Sequence, residues 1–124
     1  TWAMIVHRGF GSSFDDLWAL FYNHSTQDEY GFYAKGSTTT NAIAWGGAST
    51  GDVGQWVHLV GTYDGSVVRI YKNGALAGSA NLTGAIPAET KPISIGAGSN
   101  NNGASFEENF AGSVDEVQIF NRSL

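Results

Sequence analysis

WVHLVGTYDGSVVRIYKNGALAGSANL, residues 56–82, decides the fold. Its apolar side chains recur at alternate positions, and two dipeptides interrupt it, Asp64-Gly65 and Asn73-Gly74. Alternation with period two is the signature of a strand with unlike faces. Asp-Gly and Asn-Gly between such runs signal hairpins, because these residues tolerate positive φ. The stretch therefore predicts three antiparallel strands, 56–64, 67–73 and 75–82, joined as a meander. In the first, Trp56, His58, Val60 and Thr62 share one face, and Val57, Leu59 and Tyr63 share the other. Large side chains on both faces predict a central strand covered on one side by a second sheet.

The same period extends in both directions. Strands are expected at 2–7 (WAMIVH), 17–23 (LWALFYN), 30–35 (YGFYAK) and 40–45 (TNAIAW), within 91–98 (KPISIGAG), and over 110–121 (FAGSVDEVQIFN). Polar, Gly-rich connections separate them at 9–16, 46–54 and 99–109. No stretch has helical period, and no internal repeat or linker interrupts the series. Many short strands with Gly-rich turns specify an all-β antiparallel sandwich. The 124 residues fit one domain, 1–124.

Composition narrows the function. The net charge is -5 and the six Lys and Arg are scattered, so no cluster exists to neutralise phosphates. Nucleic acid and anionic membrane surfaces are disfavoured as partners. No apolar run approaches membrane-spanning length. With no cysteine, disulfide frameworks, thiolate metal sites and thiol catalysis are excluded. The first residue is Thr, so the chain reads as a processed or excised segment.

Four motifs then acquire a common meaning. The strand WVHLVGTYDG at 56–65, the hairpin RIYKNG at 69–74, the short strand ISIG at 93–96 and the closing FAGSVDEVQIFNRSL at 110–124 occur in the order found in laminin-G-like jelly rolls. The chain thus resembles the concanavalin A-like lectin and glucanase superfamily. The resemblance is strong over 56–124 and loose over 1–55. It implies two packed antiparallel sheets, one concave, with Trp56 in the core. Two opening strands usual in that family, near "F-D-G" and "sAW-V", have no counterpart here. The closing strand normally pairs with the first of them, so an edge is expected to stay open. An open edge invites pairing, and a homodimer through edge-to-edge or swapped strands is expected.

Glucanases of this fold use two carboxylates facing each other across a cleft, with an E-x-D-x-x-E run on one strand. That run is absent. Asp15-Asp16, Glu107-Glu108 and Asp115-Glu116 are adjacent pairs, which a strand points to opposite faces. None of His7, His24 and His58 has a nearby Ser–Asp arrangement to make a triad. The chain is therefore read as non-catalytic. In relatives, the Asp matching Asp115 helps hold a structural Ca²⁺ with backbone carbonyls, so Asp115 is the candidate metal ligand. The alternative is that it hydrogen-bonds a turn.

Sugars are recognised by flat aromatic faces bordered by amides and carboxylates. Trp18 and Tyr22 share a strand face. Tyr33 and Trp45 lie near the ends of adjacent strands, and the 99–109 loop brings Asn100 and Asn102 to a sheet end. These six residues form the expected glycan-binding rim, although large aromatics in a sandwich also serve as core. The expected function is a lectin-like module of a secreted or cell-surface protein that binds a polysaccharide or glycan. The alternatives are a protein-binding adhesion domain or a remnant of a polysaccharide-degrading enzyme. Sequons at Asn23, Asn81 and Asn121 are accounted for by an Asn/Ser/Thr-rich composition.

Overall fold

The computed structural model describes residues 2–9, 16–24, 28–100 and 105–124. Among them are ten strands: β1 (Trp2–Arg8), β2 (Trp18–Asn23), β3 (Glu29–Lys35), β4 (Asn41–Ala48), β5 (Leu59–Tyr63), β6 (Val67–Lys72), β7 (Ala75–Asn81), β8 (Ile93–Ile95), β9 (Gly98–Asn100) and β10 (Ser105–Glu107). They form a five-stranded sheet in the order β4-β3-β2-β1-β8, a three-stranded sheet β5-β6-β7 and a hairpin β9-β10. Every ladder between named strands is antiparallel. The all-β antiparallel sandwich is thus observed.

The meander forms as its turn residues dictate. Asn73 adopts a φ of 50° and is followed by Gly74, also at positive φ. The Asn73 side-chain carbonyl accepts from His58 N (2.9 Å), and Asn73 N donates to His58 O (2.8 Å), which extends the β5–β6 pairing by one residue and ties the turn to the segment before β5. Asp64 caps the preceding turn, with Oδ1 accepting from Ser66 N and Val67 N at 2.9 and 2.8 Å.

The two sheets stack with β7 over β4, β6 over β4 and β3, and β5 over β3. Ile5, Val6, Tyr30, Phe32, Ala34, Ala44, Val68, Ile70 and Leu82 fill the space between them. Where β4 and β7 meet, backbones touch: a Cβ built on Gly78 would lie 1.8 Å from the Trp45 carbonyl oxygen. A second apolar cluster of Met4, Ala19, Phe21 and Tyr33 lies on the opposite face of the larger sheet, with Trp2, Ile43 and Trp45 against it.

A bulge sets the faces of β1. Met4 pairs with Phe21 but Val6 pairs with Leu20, so one extra residue is inserted between them. Ile5 and Val6 both join the inter-sheet core, and Met4 and His7 both face the other way.

Four expectations are corrected. The strand expected over 56–64 begins only at Leu59 and is the edge, not the centre, of its sheet. Trp56 is not core but 72 % exposed, because among the described residues no strand lies outside β5 to cover it. The strand expected over 110–121 does not form among the described residues. Phe110 and Val114 pack against the core, but Glu116 turns the chain at a φ of 50°, and no neighbouring strand among the described residues takes up the backbone groups beyond it. The 99–109 stretch, read as loop, contributes strands β9 and β10 instead.

Candidate functional site

The face of the larger sheet turned away from the smaller one has an aromatic half and a polar half. Trp2 of β1 stacks on Phe21 of β2 with ring centroids 4.5 Å apart, and Trp45 of β4 meets both rings edge-on at 6.1 and 5.4 Å. Between them, β3 places Gly31 opposite both Phe21 and Trp45. A side chain there would strike the Phe21 ring, 2.5 Å from its Cζ. Phe21 is fully buried, whereas Trp2, Ile43 and Trp45 are partly exposed around it. The result is an indole-rimmed apolar surface with a rigid floor.

The polar half is built on His7, which is fully buried. Its Nε2 lies 2.7 Å from Asp16 Oδ1, and Ser99 N donates to its Nδ1 at 3.4 Å. With Nδ1 accepting, Nε2 carries the proton toward Asp16. Ser94 Oγ is 3.3 Å from Nδ1 and donates its own proton to Ala97 O at 2.7 Å. The expectation that no histidine lies near a Ser–Asp arrangement is corrected: the β1–β8 pairing sets Ser94 beside His7. The polarity is not that of an acyl-transfer triad. The Ser94 proton is already committed to a carbonyl, and the two ring nitrogens are exchanged relative to a triad, with the acid on Nε2 and the hydroxyl near Nδ1.

Tyr33 and Glu108 complete this half. The Tyr33 hydroxyl and Ser99 Oγ are buried and have no hydrogen-bond partner among the described residues. Burial, and then the Asp16 carboxylate, push the Tyr33 phenol up to about 12. Burial raises the Glu108 carboxyl, with Glu107 and Asp16 adding to the shift. An acid surrounded by acids is a poor seat for an anion.

The expected rim residues divide between two faces. Tyr33 and Trp45 belong to the face just described. Trp18 and Tyr22 do share a strand face, as expected, but it is the opposite one, packed against the inter-sheet core. The single platform of four aromatics is therefore corrected: two serve one face and two the other. Asn100 ends strand β9, which lies against β1 beside the polar half; its side chain, and the whole of Asn102, lie outside the described residues. Trp2, Phe21 and His7 were not singled out as site residues from sequence. Asp115 is exposed, and its Oδ1 accepts from Glu116 N at 2.8 Å, the turn-bonding alternative. Among the described residues, no group of three or more His, Cys, Asp or Glu is placed to hold a metal ion. A cation at Asp115 would draw its remaining ligands from main-chain oxygens. Of the sequon asparagines, Asn23 is buried, whereas Asn81 and Asn121 are exposed.

No helix among the described residues is long and apolar enough to cross a membrane. A laminin-G-type family model, described as the concanavalin A-like lectin/glucanases superfamily, matches residues 1–124. The chain is also similar to Pappalysin-1 of Mus musculus, 35 % identical over 72 residues, which cover 54 % of this chain and 4 % of that protein. The chain thus spans a small fraction of this relative's length. No solved structure matches it.

Proposed function

The chain belongs to the laminin-G-type domains of the concanavalin A-like lectin/glucanases superfamily, and on that premise we propose that it is a non-catalytic glycan-binding module of an extracellular or cell-surface protein. One observation carries the reading. Trp2 and Trp45 stand partly exposed on one rigid sheet face, fixed by the buried Phe21 between them, with a polar cluster on the same sheet face. Sugar rings stack their C–H faces on indoles, and neighbouring polar groups select hydroxyl orientation. A shallow face immobilises few atoms, so affinity is modest.

The charge of this face specifies the ligand further. Asp16, Glu107 and Glu108 lie at its polar end and Glu29 pairs with Asn23 at the other, against one cation on the same side of β3, the buried Lys35. Sulfated or uronate-rich chains would meet repulsion here, so the class proposed is an uncharged polysaccharide. The non-catalytic reading is supported by the committed proton of Ser94. A glycan array probed with the wild-type chain and with Trp45→Ala tests the function. Binding to neutral glycans that Trp45→Ala loses is expected. Binding confined to anionic glycans, or to none, contradicts it. The second reading, a protein-binding adhesion domain, rests on the partly exposed Trp18, Leu20 and Tyr22 of the opposite face.

A further inference from the structure

That opposite face has an anomaly. Along β2 the residues facing the smaller sheet, Trp18, Leu20 and Tyr22, are partly exposed, whereas Ala19, Phe21 and Asn23, facing away from it, are buried. The smaller sheet packs over β3 and β4, and β5 is its last strand on the β2 side. A strip of apolar floor is therefore left between β5 and the segment 110–114, whose Phe110 and Val114 pack against the core. At one end it opens into a cleft of about 310 Å³ lined by Ala3, Tyr22, His24, Asn109, Phe110 and Ala111.

The strip has the properties of a strand position. Its wall is the outer edge of β5, whose ladder among the described residues runs only to β6. Residues 56–63 include no Lys, Pro, Asp or Glu, the devices that normally block such an edge. On the side away from β5 the strip is bordered by Phe110, which lines the cleft with Ala3 and Tyr22 and whose N donates to Gly96 O. A direct β5-to-β5 pairing of two copies about an axis normal to the sheet is blocked by β2, β1 and β8, which project beyond β5 under the strip.

The same chain holds a stretch that lacks what this slot supplies. Beyond Glu116, Val117, Ile119 and Phe120 are exposed in a β-rich, uncharged run, with no ladder partner among the described residues. Five residues, 117–121, match the five-residue length of β5. We infer that the strip over β2 is a strand-docking slot, and that two copies of the chain fill each other's slots reciprocally with residues 117–121. Such an exchange makes a two-fold dimer from an existing element. It does not rest on the glycan reading, since the two surfaces lie on opposite faces of the larger sheet.

Sedimentation equilibrium over a wide concentration range, with circular dichroism on each variant, tests the exchange. The wild type is expected at twice the chain mass at high concentration, with Trp56 fluorescence shifted to the blue as it is covered. Val117→Lys and Ile119→Lys, on the shared apolar face of the docked strand, are expected to remain at the chain mass with an unchanged β spectrum. A wild type that stays at the chain mass at every concentration overturns the inference. So does a dimer that survives both substitutions, or a fold lost in both, which would place the tail in its own core.

Discussion

Trp2 lies flat on Phe21, with ring planes within 11° of parallel, and Trp45 closes against the same Phe21 ring at 88°. Phe21 thus fixes two indoles it does not expose. Phe21→Ala is expected to lower stability by about 3–5 kcal/mol, the usual range for a buried Phe, in urea denaturation. It is also expected to lose glycan binding, although no sugar would touch this side chain. Retained binding in a folded Phe21→Ala variant would show that the indoles are held by something else.

The Tyr33 hydroxyl is buried and orphaned among the described residues. Tyr33→Phe removes an unmet polar group whose desolvation costs about 1–3 kcal/mol, so the variant is expected to be at least as stable as wild type. The pH dependence has a definite sign. A phenol at about 12 in the folded chain, against 10.0 ordinarily, keeps its proton on folding. Its contribution is complete below pH 10.0, and stability falls as pH rises toward about 12. In Tyr33→Phe that part of the alkaline loss should vanish in thermal melts. A marked destabilisation of the variant would reveal a partner for the hydroxyl.

Gly78 has no room for a side chain, because the Trp45 carbonyl oxygen sits where a Cβ would go. Gly78→Ala is expected to force β7 away from β4 and to cost about 1–3 kcal/mol or more, as overpacking does. A melting temperature equal to wild type would mean that the sheets separate freely at this corner.

Asp64 accepts from Arg69 Nη1 at 2.8 Å and from two turn N–H groups. The Arg69 hydrogen bond, followed by those of Val67 and Ser66, holds its carboxyl at about 2 against 3.8 ordinarily. Between these values the unfolded chain binds the extra proton, so stability rises with pH there. The contribution is complete above 3.8 and is lost as pH falls toward about 2. Asp64→Asn should flatten the acid limb of a melting-temperature profile, and an unchanged limb would contradict the assignment.

The meander is legible in the sequence because turn chemistry is local: Asn73 and Gly74 need only their own φ values to reverse the chain. The faces of β2 are legible for the same reason, since alternation from Trp18 to Asn23 is unbroken. Those of β1 are not, because the bulge between Met4 and Val6 rephases the strand. Simple alternation in WAMIVH puts Val6 with Met4 and His7 with Ile5, and the fold reverses both assignments. His7 therefore passed unnoticed as the centre of a polar cluster. Its partners come from 9 and 87 residues away, through pairings that no local pattern encodes. Trp56 and 110–121 failed differently. Their side-chain pattern is that of strands, but a strand needs a neighbour for its backbone, and neighbours are a property of topology.

Four tryptophans are distributed so that they report separately: Trp2 and Trp45 on the proposed glycan face, Trp18 on the opposite one, and Trp56 beside the outer edge of β5. Titration of the ¹⁵N-labelled chain with a neutral oligosaccharide, followed through the indole N–H resonances, is the most direct test. The resonances of Trp2 and Trp45 are predicted to move together with one affinity while those of Trp18 and Trp56 stay in place. Stationary Trp2 and Trp45 signals across neutral and anionic glycans alike, or movement at Trp18 instead, would contradict the assignment of this face.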